Sequence, residues 1–315
     1  MKPPATSNGS RLTPEQSNFH NPGVLVQSWY AIARSREVKM GRLRSFDLSN
    51  RRIALYRGGA RTVHALDARC PHLGADLSHG SVTENGVRCA FHGWRIGSDG
   101  RCKHAPGLEY VPQRGVRSYP VAERWGFVWL FNGPRPLFEL PATPDRLRSV
   151  RLPSRTIRCH PHLVVGNGLD ATHFETLHDV EFTSAPRLVV EDRFRISLEM
   201  RGRPRRTYLR WLVAGEMYAR FTTIGASLAW AEVFEPVRFA VLFSARPTPE
   251  GFCEPAGVAF LPRRADLALR ATALMYTLLR DDDTVLDGIR FHPGYTENDA
   301  AFETFARAVD RMEVW

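Results

Sequence analysis

Cys70-Pro71-His72-Leu73-Gly74 and Cys89-Ala90-Phe91-His92-Gly93-Trp94 decide how the first half of this 315-residue chain is read. Sixteen residues separate His72 from Cys89. Each stretch puts one thiolate and one imidazole on the tip of a β loop, and two such loops facing each other can hold one metal ion or a two-iron cluster. A Cys2His2 zinc site uses the same ligand types, but its cysteines usually form one close pair and its histidines another. Here each cysteine has its own histidine, with one intervening residue in the first pair and two in the second. That arrangement suits a two-iron, two-sulfide cluster in which one iron takes both thiolates and the other both imidazoles, which leaves the cluster less negative and raises its potential. The glycines behind the histidines let the loop backbone approach and donate N–H groups to the sulfurs.

From Val24 to about Pro141, short runs rich in β-branched and aromatic residues (VLVQSWYAIA, RRIALYR, TVHAL, GVRCAFH, GFVWLF) are cut by turn signals at Glu84-Asn85-Gly86 and Ser98-Asp99-Gly100. This predicts a small all-β domain. A Pro-rich stretch, Gly133 to Pro144, reads as a linker. Before Val24 the chain is polar and reads as a flexible arm to Pro22. The expected division is therefore an arm at 1–22, an all-β domain at 23–138 and a second domain at 139–315. In the second domain, strands are expected from about Leu188 to Leu261, including TYLRWLVA, with helices over Arg264 to Arg290 and Asn298 to Met312. The fold class is α+β: an all-β domain followed by an antiparallel sheet flanked by helices.

Composition is ordinary for a globular protein, with 43% apolar and 24% charged residues. The net charge of +10 permits an acidic partner. No basic block is interleaved with aromatic residues, so no nucleic-acid partner is expected; the densest basic stretch, Arg201 to Arg206 (RGRPRR), carries Gly and Pro and reads as a turn. The first residues have no apolar signal region, and no apolar run is long enough to span a membrane. With an odd count of five cysteines, a reducing cytoplasm is the default expectation. Cys102, Cys159 and Cys253, like His64, His79 and His104, fall outside the paired motif and read as structural or incidental.

A second constellation lies at Asn167-Gly-Leu-Asp170-Ala-Thr-His173-Phe-Glu-Thr-Leu-His178. The histidines are five positions apart, about 140° round an ideal helix, so they meet on one metal only if the helix ends or bends near Thr176 to His178. Two histidines and one carboxylate leave positions open on Fe(II), the geometry that oxygen activation needs. The carboxylate must come from elsewhere, and Asp281, Asp282 and Asp283 offer three candidates. Asp282, Val285, Leu286 and Ile289 repeat at helical spacing as one stripe toward the core. A carboxylate on that stripe is costly to bury unless it ligates a cation. Asp282 is the preferred ligand on this reading, with Asp281 and Asp283 expected on solvent-facing flanks.

The first motif resembles the Rieske domain over about Ser28 to Pro136, and with the second motif nearly the whole chain after Pro22 resembles the α subunits of Rieske non-haem iron oxygenases. The SWY start, the CPHLGADL loop and the segment closing in GFVW are similar to the branch that contains aminopyrrolnitrin oxygenase, with 3-ketosteroid hydroxylases and O-demethylases further off. The resemblance implies that Cys70, His72, Cys89 and His92 hold a Rieske cluster, and that His173, His178 and Asp282 hold a mononuclear Fe(II). It implies that Asp170 links an iron-ligand histidine to a cluster histidine of a neighbouring subunit in a homotrimer, with Asn167 beside it in the catalytic machinery. O2 would be co-substrate. No G-x-G-x-x-G opens a helix, so electrons from NAD(P)H would arrive through a separate ferredoxin or flavin reductase.

The expected activity is monooxygenation (hydroxylation, N-oxygenation or demethylation) of an apolar aromatic or polycyclic molecule. Val165, Leu169, Phe174, Trp211, Phe221, Trp230 and Phe243 are candidates for the pocket wall, although each reads more readily as plain core. Two alternatives stand beside this: an electron carrier or binding protein with an inactive second domain, and a zinc-stabilised interaction module.

Overall fold

The computed structural model describes residues 17–206, 213, 215–292 and 294–315. Eleven strands build the first half: β1 (Trp29–Arg34), β2 (Leu43–Leu48), β3 (Arg51–Arg57), β4 (Val63–Asp67), β5 (Ser81–Thr83), β6 (Gly86–Arg88), β7 (Arg95–Gly97), β8 (Cys102–His104), β9 (Ser118–Tyr119), β10 (Val121–Arg124) and β11 (Phe127–Phe131). They form three antiparallel sheets, in the orders β1-β11-β10, β2-β3-β4-β9 and β5-β6-β7-β8. The buried residues of β3 and β4 pack both ways. Ile53, Leu55 and Ala65 join Tyr30 and Leu130, whereas Ala54, Tyr56 and Leu66 join Cys70, Cys89 and Trp94 beneath the two Cys-His loops. Period-two alternation thus fixes the loops on a core of their own.

The second half is one antiparallel sheet: β12 (Leu147–Arg151), β13 (Val180–Phe182), β14 (Arg187–Val190), β15 (Arg195–Pro204), β16 (Met217–Ile224), β17 (Leu228–Glu235), β18 (Phe239–Pro247) and β19 (Cys253–Pro262). The strand order is β12-β19-β18-β17-β16-β15-β13, and β14 also pairs with β15. Among the described residues the α-helices are α1 (Pro161–Gly166), α2 (Ala171–Thr176), α3 (Ala265–Leu286) and α4 (Ala300–Asp310). Alternation sorts the sheet residues by face. Ile196, Leu198, Met200, Phe221 and Phe243 meet the helices, whereas Leu228, Trp230, Leu242 and Phe260 meet Trp29, Trp129 and Phe131 of the first domain. The two domains therefore share an apolar core through the back of the large sheet. The Pro-rich connection is packed onto it: Phe138 and Leu140 are buried there, and Trp29 Nε1 donates to the Phe138 carbonyl at 2.8 Å.

Two expectations change, and a third lies largely outside the described residues. Of the polar arm, residues 1–16 lie outside the described residues, but Ser17 to Pro22 are docked. Phe19 is fully buried among His162, Phe302 and Phe305, and its N–H and the Ser17 hydroxyl both donate to Asp310. Arg201 to Pro204 are not a turn but the end of the ten-residue strand β15, because the strand's hydrogen bonds to β13 and β16 outweigh the local turn signal. The expected strand TYLRWLVA falls largely outside the described residues, as does the pocket candidate Trp211. No helix among the described residues is long and apolar enough to cross a membrane.

Candidate metal centres and cavity

The Cys-His loops follow β4 and β6. In each, a glycine with positive φ closes a turn onto the cysteine: Gly74 (φ 77°) and Gly93 (φ 69°) donate their N–H groups to the carbonyls of Cys70 and Cys89 at 2.9 and 3.1 Å. The loops face each other. The rings of His72 and His92 stand 4.6 Å apart, and His72 stacks on Trp94 at 4.7 Å with an interplanar angle of 6°. Cys70 and Cys89 are buried side by side, and burial pushes the Cys70 thiol up to about 11, with Cys89 adding to the rise. Such a thiol is inert at neutral pH unless a metal takes the place of its proton. His72 Nδ1 is buried without a hydrogen-bond partner, an orphan that a metal–nitrogen bond would satisfy. The donor set therefore fits a two-iron cluster. Cys102 is buried in the same core, and Cys159 and Cys253 sit in the core of the second domain.

The second centre is built where helix geometry breaks. A 3-10 turn at Asn167–Leu169 precedes α2, and Asp170, in extended conformation, caps it: its carboxylate accepts from the His173 N–H at 3.2 Å. At the other end the His173 carbonyl accepts from the N–H groups of Leu177 and His178 at 2.8 and 3.4 Å, and Asp179 turns left-handed (φ 55°) into β13. That stop swings His178 back beside His173, as the five-residue spacing required; the ring centroids are 5.1 Å apart.

Asp282 arrives on α3. Its Oδ1 lies 3.0 Å from His178 Nε2 and 3.7 Å from His173 Nε2, and ligand atoms of all three residues lie within 4.8 Å of one another. Donors about 2.1 Å from one ion and at right angles lie about 3 Å apart, so the trio fits a single metal ion. His173 Nδ1 meets the Asp170 carbonyl at 2.6 Å, which turns its Nε2 toward Asp282. Burial holds the His173 imidazole below its ordinary value, with Asp282 pulling the other way. Asn167 Nδ2 stands 3.5 Å from His173 Nε2.

Several expected roles shift in detail. The Asp170 carboxylate reaches the His173 backbone, and its link to the His173 ring runs through its own carbonyl. Val285 and Ile289 do not form a core stripe with Asp282; they are 50% and 36% exposed, because the end of α3 borders a cavity instead of the sheet. Asp281 does not face solvent. Its side chain is 13% exposed and pairs with Arg206 at 2.5 Å, while Asp283 pairs with Arg155 at 3.3 Å. Both flanking carboxylates are thus occupied by arginines, and Asp282 faces the histidines. Sequence reasoning missed Arg206; its signal was the basic stretch itself, read as a surface turn.

Two cavities meet at His173 and Asp282. One, of about 460 Å³, lies between the helix-facing side of the sheet and α3, with Phe174, Phe221, Phe243, Met217, Val241 and Met275 in its wall. Of the expected wall residues, Val165 and Leu169 are plain core, and Trp230 packs on the opposite face of the sheet against Phe260. Arg220 and Glu232 border the cavity but sit one step out of phase with Phe221 and Ala231, so their side chains leave from the opposite face. The other cavity, about 550 Å³, is bordered by Asp170, Thr176, Val285, Ile289 and His292.

Comparison with known proteins agrees with this geometry. Residues 28–120 match the family described as the Rieske [2Fe-2S] domain. The chain is similar to cholesterol 7-desaturase of Bombyx mori, 31% identical over 56% of this chain and 38% of that one. It is also similar to aminopyrrolnitrin oxygenase of Pseudomonas fluorescens, 39% identical over 37% and 34%. These matches span less than half the length of either relative. Among solved structures, dicamba monooxygenase bound to 3,6-dichlorosalicylic acid superposes with a TM-score of 0.70 at 21% identity, over 91% of this chain and 97% of that one. Residues 28–120 are therefore a Rieske [2Fe-2S] domain, and the chain as a whole shares the fold of dicamba monooxygenase.

Proposed function

We propose that this protein is a Rieske non-haem iron oxygenase that uses O2 and externally supplied electrons to oxidise an apolar aromatic or polycyclic small molecule. The convergence of His173, His178 and Asp282 in the wall of the apolar 460 Å³ cavity carries this reading. In it, Cys70, His72, Cys89 and His92 hold the cluster, and the trio holds Fe(II), which would supply O2 activation. The chain's own residues then do the rest. The phenylalanine and methionine wall binds an apolar molecule and excludes water. Asp170 orients His173, and Asn167 sits beside the ring nitrogen that faces the centre. The names of the relatives, a cholesterol 7-desaturase and an aminopyrrolnitrin oxygenase, fit an aromatic or polycyclic substrate.

A homotrimer and a ferredoxin or flavin reductase complete the proposal. Leu73 and Phe91, at the tips of the cluster loops, are 68% and 65% exposed, and Val285 and Ile289 beside the second cavity are also exposed. Apolar surface on both faces suits contact between one subunit's cluster loops and another's cavity, with Asp170 between them. A cytoplasmic setting suits five unpaired cysteines. The test is O2 consumption by the iron-loaded protein with a reductase, screened over aromatic molecules and sterols. Product-coupled O2 uptake is expected; full iron loading with no O2 uptake on any electron supply would leave only an electron carrier.

A further inference from the structure

Resting on that reading, we propose that Arg206 is a positioning residue that ties the two ligand-bearing segments together and sets the affinity of the mononuclear site. The histidines and Asp282 come from segments about a hundred residues apart, and something must hold them in register. Arg206 follows the end of β15. One arm of its guanidinium, Nη1, meets Asp281 Oδ2 at 2.5 Å, next to Asp282 on α3. The other, Nη2, donates to the Leu177 carbonyl, immediately before His178. One rigid fork therefore touches the chain neighbours of two of the three expected ligands.

The surroundings make this a fixed point. The Arg205 N–H donates to the Asp179 carbonyl at 2.8 Å, and Val180 to Phe182 pair with Gly202 to Pro204, so residues on both sides of His178 are bound to the end of β15. Leu177 lies at the C-terminus of α2, where the carbonyls lack helical partners and attract a cation. Asp281 also meets Arg280 at 3.5 Å, but Arg280 is 76% exposed and, among the described residues, pairs with no part of α2, so that pair does not link the segments.

The experiment removes mononuclear iron from the intact protein with a chelator, leaves the cluster in place, and titrates the vacant site with Co(II) under anaerobic conditions, reading the visible Co(II) bands. Melting temperature and cluster absorbance are followed on the same samples. Arg206→Gln and Asp281→Asn are each expected to weaken Co(II) binding about 10- to 100-fold with the cluster unchanged. The double variant should be little weaker than the worse single, since both break one link. Arg206→Lys keeps the charge but cannot fork to both acceptors, so it should weaken Co(II) binding at a nearly wild-type melting temperature. Arg158→Gln, which breaks the exposed pair with Asp287 at the end of α3, should leave affinity unchanged.

Wild-type Co(II) affinity in Arg206→Lys and Arg206→Gln would overturn the proposal. So would losses that add in the double variant and track melting temperature, since those describe general destabilisation. If the wild-type protein takes up no Co(II) at all, the mononuclear site fails and the proposal falls with it, an outcome separate from a site that binds metal indifferently to Arg206.

Discussion

His178 Nε2 and Asp282 Oδ1 lie 3.0 Å apart although the two residues are 104 positions apart in the chain. His178 is 1% exposed and its Nδ1 has no hydrogen-bond partner, so this buried ring is aimed at the carboxylate and at His173. The arrangement depends on α2 stopping at Thr176 and on α3 presenting the middle one of three consecutive aspartates.

The three aspartates should therefore behave differently. Asp282→Ala should abolish mononuclear metal binding and keep the cluster's colour. Asp283→Ala should change folding stability by less than about 1 kcal/mol, because its pair with Arg155 is exposed and worth little. Metal analysis together with denaturant unfolding of the two variants checks both statements; equal metal loss in both would remove Asp282 from its place.

Gly168 is closely fitted to the sheet. A Cβ there would stand 2.0 Å from the Phe221 ring, so the turn that leads into α2 fits against the cavity wall only without a side chain. Gly168→Ala should cost about 1–3 kcal/mol by overpacking and weaken mononuclear metal binding. Adding Phe221→Ala should recover part of the metal binding; no recovery would show that the clash is not the cause.

Asp170 has two separable roles. As N-cap of α2 its replacement by Ala should cost about 1 kcal/mol, whereas Asn, also a good cap, should preserve stability. If its carboxylate also stands between two centres in neighbouring subunits, Asp170→Asn should retain both metals yet slow turnover. Single-turnover kinetics with a pre-reduced cluster would measure this, and an unchanged rate would confine Asp170 to capping.

How much of this was legible in the sequence follows from how local each constraint is. The Cys-His loops were readable because cluster ligation dictates residue identity within a few positions. The break after Thr176 was readable because His173 and His178 cannot share a metal on a straight helix. The partners of Asp281 and Asp283 were not, since Arg206 and Arg155 arrive from distant strands and loops, and helical periodicity says nothing about them. Phe19 was hidden for the same reason: a lone aromatic in a polar stretch gives no periodic signal, yet it fills the space between α1 and α4.

Phe19→Ala should accordingly cost about 3–5 kcal/mol, as for a fully buried aromatic, and expose residues before Pro22 to proteolysis. Beside Phe19, burial lowers the His162 imidazole to about 4, with Asp310 opposing and His20 adding to the fall, and lowers His160 further. A histidine depressed in the folded state favours folding fully above its unfolded value near 6.5 and loses that contribution as pH falls toward its folded value. Stability should therefore decline between about pH 6.5 and 4, by up to about 1.4 kcal/mol per pH unit for each histidine. His162→Phe should make the decline shallower in urea unfolding at each pH; an identical slope would show that His162 does not contribute.

The most direct test of the central claim counts iron and acid-labile sulfide on anaerobically purified wild-type protein and Asp282→Ala after anaerobic Fe(II) loading, with an EPR spectrum of each reduced sample. The account predicts a Rieske-type signal in both, with about three irons and two sulfides per chain in the wild type and about two of each in the variant. A third iron retained in Asp282→Ala, or zinc with no signal in the wild type, would contradict it.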